Sequence, residues 1–514
     1  MSTDTPTDIT QSDINNAVWA ACDTFRGTVD AADYKFYVLA MLFLKYLSDV
    51  HRDRLATLKE QHGDEPELIA ALMEAENFVM ADGADFYTLH AKRFEPGNGE
   101  RINKALHAIE DANIGKLRNV FQDIDFNGNK LGDEKQKNEL LRELLNDFNR
   151  PALDLRPSRL NASGKPAPDI IGNAYEHLIK KFASGAGKSA GEFYTPPEVS
   201  DLMAQLVAPE PGDHICDPAC GSASLLMKCG RYIAREHGTK EYALFGQESI
   251  GHTWALAKMN LFLHNETNHR VEWGDTLRNP KLLGGKGGLR HFDVVVANPP
   301  FSLKKWGHAT AEDDPFGRFE RGIPPKTKGD YGFILHMVET LKPKTGRMAV
   351  VVPHGVLFRG SAEGRIRQKL VEENLIDAVI GLPEKLFYGT GIPAAILVIR
   401  KRKTDDKTLF IDASRDFVPG KNQNAFGPEQ LERIVSTYAE RPDHVDKYAQ
   451  LVSQAEMAEN DYNLNIPRYV DTFEPEPEVD LMAVRVEREA LKAEMAELEA
   501  RMEGFLEELG YVGS

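Results

Sequence analysis

The chain has 514 residues, 42% hydrophobic and 27% charged, so it exceeds one typical core, and two to four domains are expected. That balance excludes collagen, mucin-like sequence and wholesale disorder. The net charge of −17 argues against a protein that grips duplex DNA alone, since such proteins usually carry a basic surface that displaces counterions from phosphates.

From Ser12 to about Leu160 apolar residues recur three and four apart, as in Phe36, Leu39, Leu42, Phe43 and Tyr46, which predicts a helical domain over residues 1–165. Its longest apolar stretch, Tyr37 to Leu47, is broken by Lys45 and too short to cross a bilayer. The N-terminus opens on Thr, Asp and Ser rather than a basic stretch followed by an apolar one, so no leader is expected. No membrane association and a cytoplasmic location follow as expectations. Pro151 to Asp169, with several Pro plus Ser and Gly, reads as a linker.

Beyond it, short apolar runs alternate with amphipathic helices, the pattern of a doubly wound α/β sheet. Strands are predicted at His214 to Ala219, Tyr242 to Glu248, Val271 to Trp273, Asp293 to Ala297, Arg347 to Val352, Ile376 to Gly381 and Ala394 to Arg400. They define a catalytic domain over 166–415. Helical texture returns after about Ser414, giving a helical connecting region over 416–478. In the tail, 479–514, Leu491, Met495, Leu498, Met502, Phe505 and Leu509 alternate spacings of four and three, a heptad seam that asks for a partner helix.

Three constellations carry chemistry. Asp217 to Leu226 (DPACGSASLL) follows the apolar run at Ile215 and opens a helix, and such a strand, small-residue turn and helix lets backbone approach a nucleotide-like cofactor. Gly221 would permit that approach, and the Asp217 carboxylate would face a methionine ammonium. Glu248, ending the next strand, suits two ribose hydroxyls, and Asp275, after the third, suits the adenine amine. Any one such acid is more often a surface residue. Three at successive strand ends, where open sheets bind ligands, point to a site for S-adenosylmethionine.

The third is Asn298-Pro299-Pro300-Phe301 after the strand Phe292 to Ala297. An amino group on an aromatic ring is a poor nucleophile because its lone pair is delocalised. The Asn298 oxygen and the Pro299 carbonyl, fixed by prolines, would each accept an N–H, and Phe301 would stack on an extruded base. Phe387 or Tyr388 is a weaker candidate for the other face of the base. The bland alternative is a proline-rich strand exit.

Other features carry less. Gly185 to Ser189 looks like part of a phosphate-binding loop, but its first glycine would fall at Phe182 and helix precedes it. Cys22, Cys216, Cys220 and Cys229 lack metal spacing and read as buried free thiols, with no metal site expected. Lys304, Lys305, Arg318, Arg321, Lys326 and Lys328 would either line a DNA path or form a solvated loop.

Taken together, GEFYTP at Gly191 to Pro196, DPACGSASLL and NPPF resemble the modification (methyltransferase) subunit of type I restriction-modification systems, an N6-adenine DNA methyltransferase of the gamma motif order. Asn460 to Asn465 followed by Ile466 to Tyr469 also looks like a segment of these subunits. The resemblance implies a Rossmann-like methyltransferase sheet with an N-terminal helical domain and a C-terminal helical tail. It implies that Glu192, Phe193, Tyr194, Thr195, Pro196 and Pro197, with Ser222, Ala223, Ser224 and Glu248, contact S-adenosylmethionine, and that Asn298 to Phe301 form the target-base site.

It further implies double-stranded DNA as substrate, two such subunits clasping one sequence-specificity subunit through the tail, and a separate motor-nuclease subunit that joins for restriction. Cys220 and Ser222 stand where the family often has Ala or Gly, and Phe301 where Tyr is common; stacking needs no hydroxyl. The rivals are an amino-methylase acting on RNA or on protein glutamine, and a non-catalytic assembly subunit that keeps only the fold. Methyl-transfer assays on DNA, RNA and protein separate them.

Overall fold

Ten strands align in one sheet in the order β3-β2-β1-β4-β5-β7-β6-β8-β10-β9. They run β1 His214–Asp217, β2 Ala243–Glu248, β3 His269–Trp273, β4 Val294–Ala297, β5 Arg347–Pro353, β6 Ile376–Gly381, β7 Ala394–Arg400, β8 Lys407–Asp412, β9 His444–Val445 and β10 Ala449–Ser453. These come from a computed structural model that describes residues 9–63, 65–160, 167–185, 194–387, 391–420, 423–472 and 480–511. Strands β3 to β5 in this order are mutually parallel, whereas β7 lies antiparallel between β5 and β6.

The central strands read as unbroken apolar runs because both faces of the sheet are covered. Along β4 the side chains alternate, Val294 and Val296 entering one core and Val295 and Ala297 the other. The first core also takes Val38 to Leu44 from the long helix Ala31–His62, and Ile171, Tyr175 and Leu178 from the helix Ala167–Gly185. The N-terminal helices therefore share their apolar interior with one face of the sheet. The 19-residue helix up to Gly185 supports the argument against a phosphate-binding loop; residues 186–189 of that motif lie outside the described residues.

Two sequence expectations need correction. The start of the predicted linker is packed: Leu153, Leu155 and Leu160 are fully buried, and Leu155 N–H donates to Asp49 Oδ2 at 2.7 Å. Asp49 also takes the ammonium of Lys45, one turn before it on the same helix, in a buried ion pair. The anchoring partner lies 106 residues away, so local composition could not reveal it. Residues 416–478, expected to be helical, include a helix at Pro428–Glu440 but also β9 and β10, which extend the sheet beyond β8. Strand β9 has only two residues, and β10 buries its first and fourth residues, Ala449 and Val452, so neither shows a clean alternation.

The chain divides into two compact units, residues 1–470 and 471–514. The second holds the helix Leu481–Glu508, whose N-cap Asp480 accepts from Met482 and Ala483 N–H. Its seam residues Leu491, Met495, Leu498, Met502, Phe505 and Leu509 are 54% to 71% exposed. Among the described residues, no helix is long and apolar enough to cross a membrane.

Candidate active site

The C-terminal ends of β1, β2, β3 and β4 lie side by side, and the loops leaving them form two adjoining clefts that meet at Ala219. After β1 the chain turns sharply: Gly221 (φ +52°) and Ala223 (φ +64°) both adopt the left-handed conformation, so the helix Ser224–His237 starts directly behind the loop. At Gly221 the missing Cβ makes that conformation cheap. Four contacts fix the loop. Cys220 N–H donates to the Gln247 carbonyl at 3.1 Å, and Gly221 N–H to Glu248 Oε2 at 3.0 Å. Asn260 Nδ2 donates to the Ser222 carbonyl at 2.9 Å, and Thr276 Oγ1 to the Pro218 carbonyl at 2.6 Å.

The narrower cleft is walled by Tyr194, Thr195, Asp217, Gly221, Ser222, Ser224 and Asn298. The Ser222 and Ser224 hydroxyls bond each other at 2.9 Å. Asp217 is buried and accepts from Ala219 N–H at 2.9 Å; burial pushes its carboxyl up to about 8, and the nearby Glu248 charge adds to the rise. The wider cleft, 370 Å³, is lined by Glu248, Ser249, Ile250, Asp275, Thr276, Pro300, Phe333 and neighbours. Burial also raises the Glu248 carboxyl, although N–H donors from Ile250 and Gly221 oppose the shift. Asp275 Oδ1 accepts from Leu277 N–H (2.9 Å) and Arg278 N–H (3.0 Å), bracing its own turn.

Asn298 stands at the end of β4, half-buried, and its Nδ2 donates to Thr195 Oγ1 at 3.2 Å. Among the described residues nothing donates to its Oδ1. The turn after it is held from below: Ser302, in the left-handed conformation at φ +52°, donates its N–H to Asp330 Oδ1 at 2.7 Å, and Arg359 reaches Asp330 Oδ2 at 3.3 Å. Phe301 is half-buried and meets Phe387 edge-on at 6.1 Å.

Of the predicted site residues, Tyr194, Thr195, Asp217, Gly221, Ser222, Ser224, Glu248, Asp275, Asn298 and Pro300 therefore line the two clefts. Ala223 is buried beneath the loop, and Pro196 caps the helix Pro197–Val207, on which Pro197 is the first residue. Glu192, Phe193 and Tyr388 lie outside the described residues. Phe387 is buried and backs Phe301, so it offers no open face to a base.

Two of the basic residues left open between a DNA path and a solvated loop are paired within the fold. Arg318 forms a buried ion pair with Asp314 and donates to the Leu277 carbonyl, and Arg321 pairs with Glu339 and Glu373. Lys304, Lys305 and Lys326 are exposed. All four cysteines are free and buried, and among the described residues no His, Cys, Asp or Glu cluster could hold a metal.

Ile250, Phe333, Asp330 and Asn260 were not singled out from sequence. Ile250 had a signal, an apolar residue just after the strand-end acid. Asn260 and Asp330 sit in apolar helices and gave none.

The residues present suit S-adenosylmethionine. Left-handed Gly221 leaves the narrow cleft open to backbone approach, and the wide cleft sets an acid at its rim with apolar Ile250 and Phe333. With β7 reversed between β5 and β6 and an acceptor-bearing Asn-Pro-Pro turn beside these clefts, the class is that of methyltransferases acting on amino groups.

Residues 166–478 match the N-6 DNA Methylase family and residues 14–148 the HsdM N-terminal domain family. The chain is 30% identical to the type I restriction enzyme MpnII methylase subunit of Mycoplasma pneumoniae, over 96% of both chains. It is 34% identical to the MjaVIII methylase subunit of Methanocaldococcus jannaschii, over 93% of this chain and 82% of that one. The crystal structure of a type I restriction-modification methyltransferase subunit from Streptococcus thermophilus superposes with a TM-score of 0.79 at 36% identity, covering 90% of this chain and 100% of that one. The chain belongs to the family of type I restriction-modification methylase subunits. It is a DNA N6-adenine methyltransferase that uses S-adenosylmethionine.

Proposed function

We propose that Asn298 and Pro299 activate the adenine amine as a pair of fixed acceptors, with Phe301 stacking on the base after it leaves the helix. The single observation that carries this reading is the place of Asn298, which stands at the end of β4 on the wall of the narrow cleft with its amide beside Thr195. Bound S-adenosylmethionine supplies an electrophilic methyl on a sulfonium. The chain's own part is positioning and electrostatics: two oxygens accept hydrogen bonds from the amine, the nitrogen lone pair localises, and Ser302, Asp330 and Arg359 hold the turn still. The narrow cleft takes the amino-acid end of the cofactor near Asp217, and the wide cleft takes the nucleoside near Glu248 and Asp275.

The partners follow from the family. Double-stranded DNA is held largely by a sequence-specificity subunit, which suits the acidic charge of this chain. Two copies of the chain clasp one such subunit through the tail helix, and a motor-nuclease subunit completes the restriction enzyme, in the cytoplasm. In this scheme residues 1–165 form the helical domain, 166–415 the catalytic domain, 416–478 the connection and 479–514 the assembly helix.

Asn298→Ala in the assembled complex tests the site. Calorimetry is expected to find cofactor affinity little changed, while methyl transfer to adenine falls on the order of 10²- to 10³-fold, as for loss of one transition-state contact. Undiminished turnover would refute the role given to Asn298.

A further inference from the structure

An asparagine at the end of a strand has two orientations related by half a turn, and only one offers oxygen to an amine. Among the described residues the Asn298 amide bonds Thr195: Nδ2 donates to Thr195 Oγ1 at 3.2 Å. A hydroxyl alone does not settle the choice, because it donates as readily as it accepts. Thr195 also walls the narrow cleft beside Asp217 and Ser222. An acceptor lodged in that cleft takes the hydroxyl proton, and only the oxygen lone pairs then remain for Asn298. The amide must turn its NH2 to Thr195 and its oxygen outward.

We infer that Thr195 is a positioning residue that orients the Asn298 amide, and that filling the narrow cleft locks this orientation, so that cofactor binding prepares the base clamp. The inference rests on the role given to Asn298 above. It assigns the Thr195 hydroxyl two separable tasks, one toward the cleft and one toward the amide. Thr195 stands two residues before the helix Pro197–Val207, whose first turn closes with Val199 and Ser200 N–H bonded to the Pro196 carbonyl.

The test uses the full chain assembled with its specificity subunit and compares Thr195→Val in two backgrounds, Asn298 and Asn298→Asp. A carboxylate has oxygen on both arms and needs no orienting partner. At saturating cofactor, Thr195→Val is expected to lower kcat about 10- to 100-fold with Asn298 present, the scale of a small misplacement. With Asn298→Asp it should cost less than about threefold. Cofactor Kd, read by calorimetry, should weaken by up to about tenfold in both backgrounds, the worth of one hydrogen bond.

Duplex affinity with S-adenosylhomocysteine present, compared for adenine and for unsubstituted purine at the target position, reports the grip on the amine without turnover, including for a background too slow to assay. The preference for adenine should shrink in Thr195→Val and largely return in Thr195→Ser, which keeps the hydroxyl. Equal losses in the two backgrounds, or no loss in either, would overturn the inference while leaving Asn298 in its role. Full turnover of Asn298→Ala would overturn both.

Discussion

Asp217 carries a proton problem. Its carboxyl closes β1 in a buried position, and burial lifts it from the usual 3.8 to about 8. Between those values the native chain holds a proton that the unfolded chain has lost, so this group's contribution to stability is fully present below about pH 4 and disappears as pH rises through about 8. A methionine ammonium beside it reverses the preference, since an opposite charge favours the carboxylate. Cofactor binding at pH 7 should therefore release a proton, seen in calorimetry as a binding enthalpy that varies with the ionisation enthalpy of the buffer. Asp217→Asn should abolish that dependence. A buffer-independent enthalpy for the unaltered protein would place the ammonium elsewhere.

At this scale much of the site was legible. Asn298, Asp217 and Glu248 sit at strand ends, where sequence already puts chemistry, because a strand followed by Gly, Pro or Asn is a local pattern. Asn260 and Asp330 were not legible, since each does its work through a contact 38 or 28 residues away in sequence, and nothing local marks a buried polar side chain as a support. Arg318 and Arg321 stayed open between two readings for the same reason: charge was visible, but the carboxylates that pair with them were not.

Among elements, β2 packs closely against the β1 loop. A Cβ on Gly246 would stand 2.9 Å from Cys220 Sγ and 3.2 Å from Cys220 Cβ, so the loop and the strand cannot both keep their places. Gly246→Ala is expected to destabilise the protein by about 1–3 kcal/mol through overpacking and to weaken cofactor affinity, because Cys220 and Gly221 move together. Adding Cys220→Ala removes the clashing sulfur and should restore part of both losses. A melting temperature and cofactor Kd untouched by Gly246→Ala would show that the loop has slack. Strands β1 to β7 were readable, most of them as apolar runs bounded by turns. Strands β8, β9 and β10 were not: β8 holds only Leu409 to Ile411 as an apolar stretch between polar residues, β9 has two residues, and β10 buries only Ala449 and Val452.

For the molecule as a whole, a net charge of −17 and an exposed apolar seam on the tail helix point the same way. A chain repelled by phosphate needs a companion to meet DNA, and a seam of Leu, Met and Phe needs a surface to cover it. Removal of residues 481–514 should weaken association with the specificity subunit by far more than it alters cofactor binding. Sedimentation would follow the first and calorimetry the second. A truncated chain that still assembles but no longer binds cofactor would contradict this division of labour.

The burial of the cysteines has a practical corollary. Cys22, Cys216, Cys220 and Cys229 are at most 5% exposed, and burial holds every one of their thiols well above the ordinary range. Little thiolate is presented to reagents in water. A cysteine introduced at Ala500, on the side of the tail helix away from its seam, would therefore be the one handle that a maleimide dye finds, and subunit assembly could be followed by its colour or anisotropy without first stripping the native sulfurs.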